Sequence, residues 1–126
     1  MAKDWWQKGK GLDLWSIPHF LFGILMGMSP SLIGVSFSTA FMLTITLAVA
    51  WELYEQCIGI RETVPNILLD IVLSITACIL TSYALLAYPL HPHDLLVIAA
   101  AVLVLYVFTN LSGWLAYRRR KRDFMG

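Results

Sequence analysis

The chain has 126 residues, of which 59% are hydrophobic and only 13% are charged, and its formal net charge is +1 at pH 7. Together with a mean hydropathy of +0.72, this composition excludes an ordinary water-soluble domain. The chain is therefore predicted to be a membrane protein, and nucleic acid is not expected as a partner.

Four apolar segments are predicted to cross the membrane as helices, and they cover residues 12–28, 32–58, 65–90 and 95–117. Each approaches or exceeds the roughly 20 residues that span a hydrocarbon core of about 30 Å. The predicted fold is all-α: a four-helix transmembrane bundle forming a single domain over residues 1–126, with short tails at both ends. The MSPS and YPLHPHD segments are expected to be loops on one side, and Asp94 is expected to cap the fourth span.

Basic residues are concentrated at the two ends of the chain. Lys3, Lys8 and Lys10 precede the first span, the RRRKR run follows the last one, and only Arg61 lies between. The positive-inside rule then predicts a multi-pass protein of the bacterial inner (cytoplasmic) membrane with both termini in the cytoplasm. Aromatic residues at the same interface are predicted to act as anchors, namely Trp5, Trp6, Trp15, Trp114 and Tyr117.

Glycine and proline predict the ends and contacts of the helices. Gly59 suits the end of span two, where a left-handed residue can close a helix, and Pro65 fits the first turn of span three. Gly23 and Gly27 are four residues apart and share one face with His19. Small residues at this spacing allow a neighbouring helix to come close.

Three spans each carry an ionisable residue at a similar depth. At about 1.5 Å per residue, His19, Glu52 and Asp70 lie on the order of 10 Å into their spans from the cytoplasmic side. A charged side chain that faces lipid at the bilayer centre costs at least about 2.5–3.5 kcal/mol. These three side chains are therefore predicted to face one another in an interior cavity.

The spacing of polar residues within each helix extends this site. Glu52, Glu55 and Gln56 form an i, i+3, i+4 set, and Asn66, Asp70 and Ser74 form an i, i+4, i+8 row. Residues at these spacings lie on one face of a helix. Asn110 in span four is predicted to contribute to hydrogen bonding between helices.

Three kinds of chemistry are open to this set. Carboxylates and a neutral imidazole can bind a divalent metal, and the candidate ligands are His19, Glu52, Glu55 and Asp70. Crowded carboxylates can instead hold a proton near neutral pH, with the histidine as the complementary base. In the third interpretation the set is a self-contained polar network, with Arg61 paired to a glutamate, that holds the helices together.

The order of these residues resembles the VanZ-like superfamily of small bacterial membrane proteins. The likeness covers residues 15–78 and consists of His19, the WELYEQ stretch, Arg61 and NILLD followed by Ser74. This chain has its asparagine before its aspartate, where the family pattern tends to show the reverse order. VanZ is associated with low-level resistance to a glycopeptide antibiotic, so the resemblance implies a role in the cell envelope.

The favoured hypothesis is recognition, with or without processing, of the head group of a membrane lipid or a lipid-linked envelope precursor. The predicted catalytic residues are His19, Glu52, Glu55 and Asp70, and the predicted substrate-binding residues are Arg61 as phosphate-binding cation, Asn66 and Ser74. A small proton-coupled transporter and a non-catalytic membrane assembly subunit are the alternatives. A divalent metal is a candidate cofactor, a homo-oligomer is left open, and so is enzymatic activity itself.

Overall fold

A computed structural model describes residues 14–60 and 63–125, with side chains as far as Arg120. The described residues form four helices: α1 (Ser16–Ile33), α2 (Phe37–Cys57), α3 (Val64–Ala87) and α4 (Pro92–Met125). All four are long and apolar enough to cross a membrane. The prediction of an all-α bundle with four spans is confirmed.

Helix α1 lies at the centre of the bundle. It packs against α2, α3 and α4, and α2 also packs against α3. Within the described part of the chain, α4 packs only against α1. Because these residues of α4 make no packing contact with α2, a space remains between the two helices, beside α1.

The closest helix packing joins α1 to α3 through two glycines. A Cβ atom on Gly27 would stand 2.6 Å from the Cys78 carbonyl oxygen, and one on Gly23 would collide with the Ser74 carbonyl oxygen. The Ser82 hydroxyl donates a hydrogen bond to the Gly27 carbonyl oxygen at 2.9 Å. The predicted close approach at this glycine pair is confirmed, and its partner is α3.

Helix α1 continues past its predicted end at residue 28, so the MSPS segment is helical and the loop lies beyond it. Pro30 has no N–H for the Met26 carbonyl, but the Ser29 hydroxyl donates to that carbonyl oxygen at 2.6 Å. A neighbouring serine is one of the ways in which membrane helices accommodate proline. The helix ends at Ile33, and the residue that follows, Gly34, caps it with a left-handed φ of 75°.

The turn after α2 is closed by Gly59. Its N–H donates to the Gln56 carbonyl at 3.1 Å, and the Ile60 N–H donates to the Glu55 carbonyl at 2.9 Å. This pair of bonds is the Schellman motif, which requires a left-handed residue, and Gly59 has φ of 87°. The predicted role of Gly59 is confirmed. Arg61 lies outside the described residues.

Helix α3 begins with the sequence Thr63-Val64-Pro65. The Thr63 hydroxyl accepts a hydrogen bond from the Asn66 N–H at 3.3 Å, which satisfies one of the first N–H groups of the helix. Pro65 lies in the first turn, as predicted. The cap and the proline together position the row of polar residues that follows on α3.

Replacing Gly59 with alanine is expected to destabilise the protein by about 1–2 kcal/mol, the cost of a left-handed conformation for a residue with a Cβ atom. Among the described residues, no atom lies within 4 Å of that Cβ, so the cost is one of backbone conformation. The midpoint of unfolding in an SDS titration measures it. Gly59→Asn should lose less because asparagine tolerates this conformation, and equal losses would contradict the explanation.

Helix α4 is longer than predicted at both ends, since it begins at Pro92 and continues to Met125. The Nδ1 atom of His91 accepts a hydrogen bond from the His93 N–H at 3.3 Å. Asp94 lies in the first turn, where the positive end of the helix dipole stabilises its negative charge. The expectation that Asp94 precedes and caps this helix was wrong.

Trp15 packs inside the bundle instead of anchoring its surface. Its side chain is 5% exposed, and a Cβ atom on Gly113 of α4 would stand 2.6 Å from its Cη2 atom. The anchor role predicted for Trp15 was therefore wrong, and Trp15 instead joins the start of α1 to α4. Trp114 is 39% exposed, whereas Trp5 and Trp6 lie outside the described residues.

Candidate functional site

Three helices bring one polar side chain each to a common point. Ligand atoms of His19 on α1, Glu52 on α2 and Asp70 on α3 all lie within 4.8 Å of one another. These residues are 7%, 4% and 0% exposed, respectively. The predicted meeting of the three side chains, here called the polar cluster, is confirmed.

The polar cluster forms at one end of the bundle because successive helices run in opposite directions. His19 lies in the first turn of α1, Glu52 lies near the end of α2, and Asp70 lies in the second turn of α3. The glycine contact between α1 and α3 sets the distance between His19 and Asp70. The same end of the bundle carries the C-terminal part of α4.

The imidazole of His19 faces both acids. Its Nε2 atom lies 3.4 Å from Asp70 Oδ2 and 3.7 Å from Glu52 Oε1. The other oxygen of Asp70, Oδ1, accepts a hydrogen bond of 3.4 Å from the Ser16 hydroxyl. Asp70 therefore contacts two residues of α1 with its two oxygens.

Ser16 is part of this site but was absent from the predicted set. It precedes His19 by three residues, and this spacing places both side chains on one face of α1. That spacing was the signal available in the sequence. Ser16 is 7% exposed, so its hydroxyl belongs to the buried surroundings of the polar cluster.

Ser74 holds α1 and α3 together. Its hydroxyl lies 2.9 Å from the His19 carbonyl oxygen and 3.2 Å from the Asp70 carbonyl oxygen, and its single hydrogen is shared between these two acceptors. This hydroxyl sits between the two helices and is fully buried. The structure thus gives Ser74 a positioning contact with the backbone of two cluster residues.

The remaining predicted site residues lie around the polar cluster. Glu55 is 1% exposed and lies one turn after Glu52, but among the described residues it does not join the group of close ligand atoms. Asn66 is fully buried one turn before Asp70. Arg61 lies outside the described residues. The geometry therefore joins three of the four predicted acid–base or metal-binding residues.

A cavity of about 450 Å³ lies between α1, α2 and α4. Its walls are mostly apolar, with Phe22 on α1, Leu47 and Trp51 on α2, and Tyr106 on α4. Its size falls within the range of about 300–1,000 Å³ that is typical of ligand pockets. The space that α4 leaves beside α2 is thus large enough for part of a lipid-sized ligand.

His19 belongs to both the cavity and the polar cluster. Its side chain lines the cavity, and Asn110 of α4 lines it as well. Asn110 donates from Nδ2 to the Tyr106 carbonyl oxygen at 2.8 Å. This bond lies within α4 and does not join two helices, as the predicted contribution would. A ligand in the cavity would contact His19 directly and reach the acids through it.

No protein-family model, curated protein or solved structure matches this chain. The likeness to the VanZ-like superfamily stays a prediction drawn from His19, WELYEQ and NILLD. The functional assignment therefore depends on the chemistry of the polar cluster and the cavity.

Proposed function

We propose that this protein binds a membrane lipid or a lipid-linked envelope precursor, with an acyl chain in the cavity and the head group near the polar cluster. The observation that carries this proposal is the cavity between α2 and α4, which has apolar walls and a polar residue of the cluster, His19, in its lining. Such a combination suits an amphipathic ligand, because apolar walls bind its chain and a few polar groups orient its head.

Charge at the same end of the bundle supports an anionic head group. Arg118, Arg119 and Arg120 lie on the last part of α4, and a basic residue near a membrane surface attracts anionic lipid by about 1 kcal/mol. We assign this end to the cytoplasmic face of a bacterial inner membrane by the positive-inside rule. Arg61, in the link after α2, is proposed as the cation that binds a phosphate.

Acid–base or metal-assisted chemistry on the head group is proposed for His19, Glu52 and Asp70. A carboxylate beside an imidazole is a common arrangement for proton transfer. The resemblance to the VanZ-like superfamily adds the setting of the cell envelope to this proposal. The acyl chain in the cavity would hold the head group within reach of the polar cluster.

A proton-coupled carrier is a second candidate, and the position of His19 between two buried carboxylates favours it. Ionisable residues within membrane spans are common in proton relays. The two candidates differ in what the cavity holds. A lipid-binding protein retains its ligand after purification, whereas a carrier shows flux in liposomes that depends on a gradient.

Replacing Ala50 with phenylalanine is expected to reduce the phospholipid that remains bound after mild detergent purification by about tenfold, which corresponds to about 1.4 kcal/mol. Ala50 lines the cavity and is not one of the three cluster residues, so the larger ring is expected to fill space while the acids and the imidazole are kept. Native mass spectrometry of the purified protein measures bound lipid per chain.

Val49→Phe is the matched control, because Val49 precedes Ala50 on α2 and is exposed but does not line the cavity. It should retain lipid at the level of the unmodified protein. Equal retention by both variants would contradict the proposal. Gradient-driven proton flux in liposomes that is lost in Glu52→Gln, without retained lipid, would favour the carrier.

A further inference from the structure

The polar cluster contains the ligand types of a transition-metal site. One imidazole nitrogen and two carboxylates come from three different helices. Borderline divalent ions such as Zn²⁺, Mn²⁺ and Fe²⁺ bind imidazole and carboxylate together. Because each ligand is at least nine-tenths buried, the three groups form an interior site and not a surface collection of acids.

The distances between these groups suit a shared ion. His19 Nε2 lies 3.4 Å from Asp70 Oδ2 and 3.7 Å from Glu52 Oε1. Direct charge-assisted hydrogen bonds are shorter, at about 2.7–2.9 Å. Ligands that share a tetrahedral ion at about 2.0–2.2 Å are separated from one another by about 3.3–3.6 Å. The two separations from the imidazole nitrogen lie close to this ligand–ligand spacing, and all three ligand atoms lie within 4.8 Å of one another.

Neighbouring residues hold these ligands in place. The Ser16 hydroxyl donates to Asp70 Oδ1, the oxygen that does not face His19. The Ser74 hydroxyl donates to the backbone carbonyls of His19 and Asp70. A hydrogen bond to the ligating side chain, such as that from Ser16 to Asp70, commonly orients a metal ligand, whereas the Ser74 contact fixes the backbones of α1 and α3 relative to each other.

We propose that His19 Nε2, Glu52 and Asp70 bind one divalent first-row transition metal ion. Three protein ligands leave at least one coordination position for water or another ligand, as in catalytic zinc sites. His19 also lines the cavity, so an oxygen of a phosphate head group is the class of ligand that would take this position. The role of the ion in head-group binding rests on the proposed function, whereas the presence of the ion does not.

Metal analysis of the full chain, purified in detergent without chelators, tests this proposal. Inductively coupled plasma mass spectrometry should find about one ion of Mn, Fe, Co, Ni, Cu or Zn per chain. Glu52→Gln should lower that content by at least about tenfold, since it removes a charged ligand. Thr44→Val should retain the ion, because Thr44 is also buried on α2 but is not one of the candidate ligands.

A second measurement, a titration with Co²⁺, tests the metal site even if the Glu52→Gln variant does not fold. The protein stripped with EDTA and titrated with Co²⁺ should gain visible absorption bands and a higher Tm, because an ion that binds only the folded state stabilises it. Glu52→Gln should gain neither. If this variant does not fold, the Co²⁺ spectrum of the unmodified protein decides the question alone.

Two results would overturn the metal site. One is an unmodified protein that carries no ion and gains no Co²⁺ bands, and the other is equal metal content in Glu52→Gln. If the protein binds no metal ion, it is still expected to retain lipid, and the Ala50→Phe variant is still expected to lose it. Conversely, a protein that binds the ion but retains no lipid would overturn the proposed function alone.

Discussion

Replacing Gly23 with valine is expected to lower the free energy of unfolding by about 3 kcal/mol, at the upper end of the usual cost of overpacking. Any Cβ atom at this position meets the Ser74 carbonyl oxygen and stands 2.7 Å from the Ala77 Cβ atom. Since the carbonyl belongs to the backbone, a change of rotamer cannot relieve the collision, and α1 and α3 must move apart. Unfolding in SDS, followed by circular dichroism, measures the loss.

Ala84→Val is the matched control, because Ala84 is an exposed residue of α3. Its unfolding midpoint should stay near that of the unmodified protein. A further test combines Gly23→Ala with Ala77→Gly, which removes one colliding side chain but leaves the Ser74 carbonyl. Only partial recovery is expected. Full recovery would show that the backbone contact is not what limits this position.

Replacing Asp70 with alanine is expected to destabilise the protein by about 2–5 kcal/mol, because the buried Ser16 hydroxyl and the His19 imidazole each lose a polar partner, and each such loss costs about 1–3 kcal/mol. Asp70 is fully buried and contacts both Ser16 and His19. Because the contact with His19 is shared, the losses from His19→Ala and Asp70→Ala should not add. A double-mutant cycle on SDS unfolding should give a coupling energy of about 1–3 kcal/mol.

His93 and Asp94 provide the control cycle. Their Nδ1 and Oδ1 atoms lie 3.7 Å apart, but the two side chains are 78% and 68% exposed. Exposed ion pairs contribute about 0–1 kcal/mol, so this cycle should be close to additive. If the buried and exposed pairs gave the same coupling energy, burial would not account for the strength of the contact between His19 and Asp70.

The number of helices and the meeting of the polar cluster could both be predicted from local patterns. Long apolar segments predict spans because the bilayer sets their length. His19, Glu52 and Asp70 could be placed together because each lies at a similar depth and each is costly in contact with lipid. The joining of α1 to a neighbour could be predicted from Gly23 and Gly27, although the identity of the neighbour could not.

Other features depend on contacts between distant residues, and local patterns do not contain them. The end of α1 differed because Ser29 supplies the hydrogen bond that Pro30 lacks. Trp15 is buried because Gly113, far along the chain, leaves room for its ring. Glu52 and Glu55 are the same residue type and share a helix face. Only the positions of α1 and α3 determine that Glu52, and not Glu55, lies beside His19 and Asp70.

Among the described residues α4 packs against α1 alone, and this divides the bundle into two parts that differ in how freely their residues can be substituted. The three residues of the polar cluster lie on α1, α2 and α3, and α4 contributes Tyr106 and Asn110 to the cavity but none to the cluster. Substitutions on α4 can therefore reshape the cavity while leaving the acids and the imidazole in place. Related chains could diverge in ligand selectivity through one helix and keep a common chemistry on the other three.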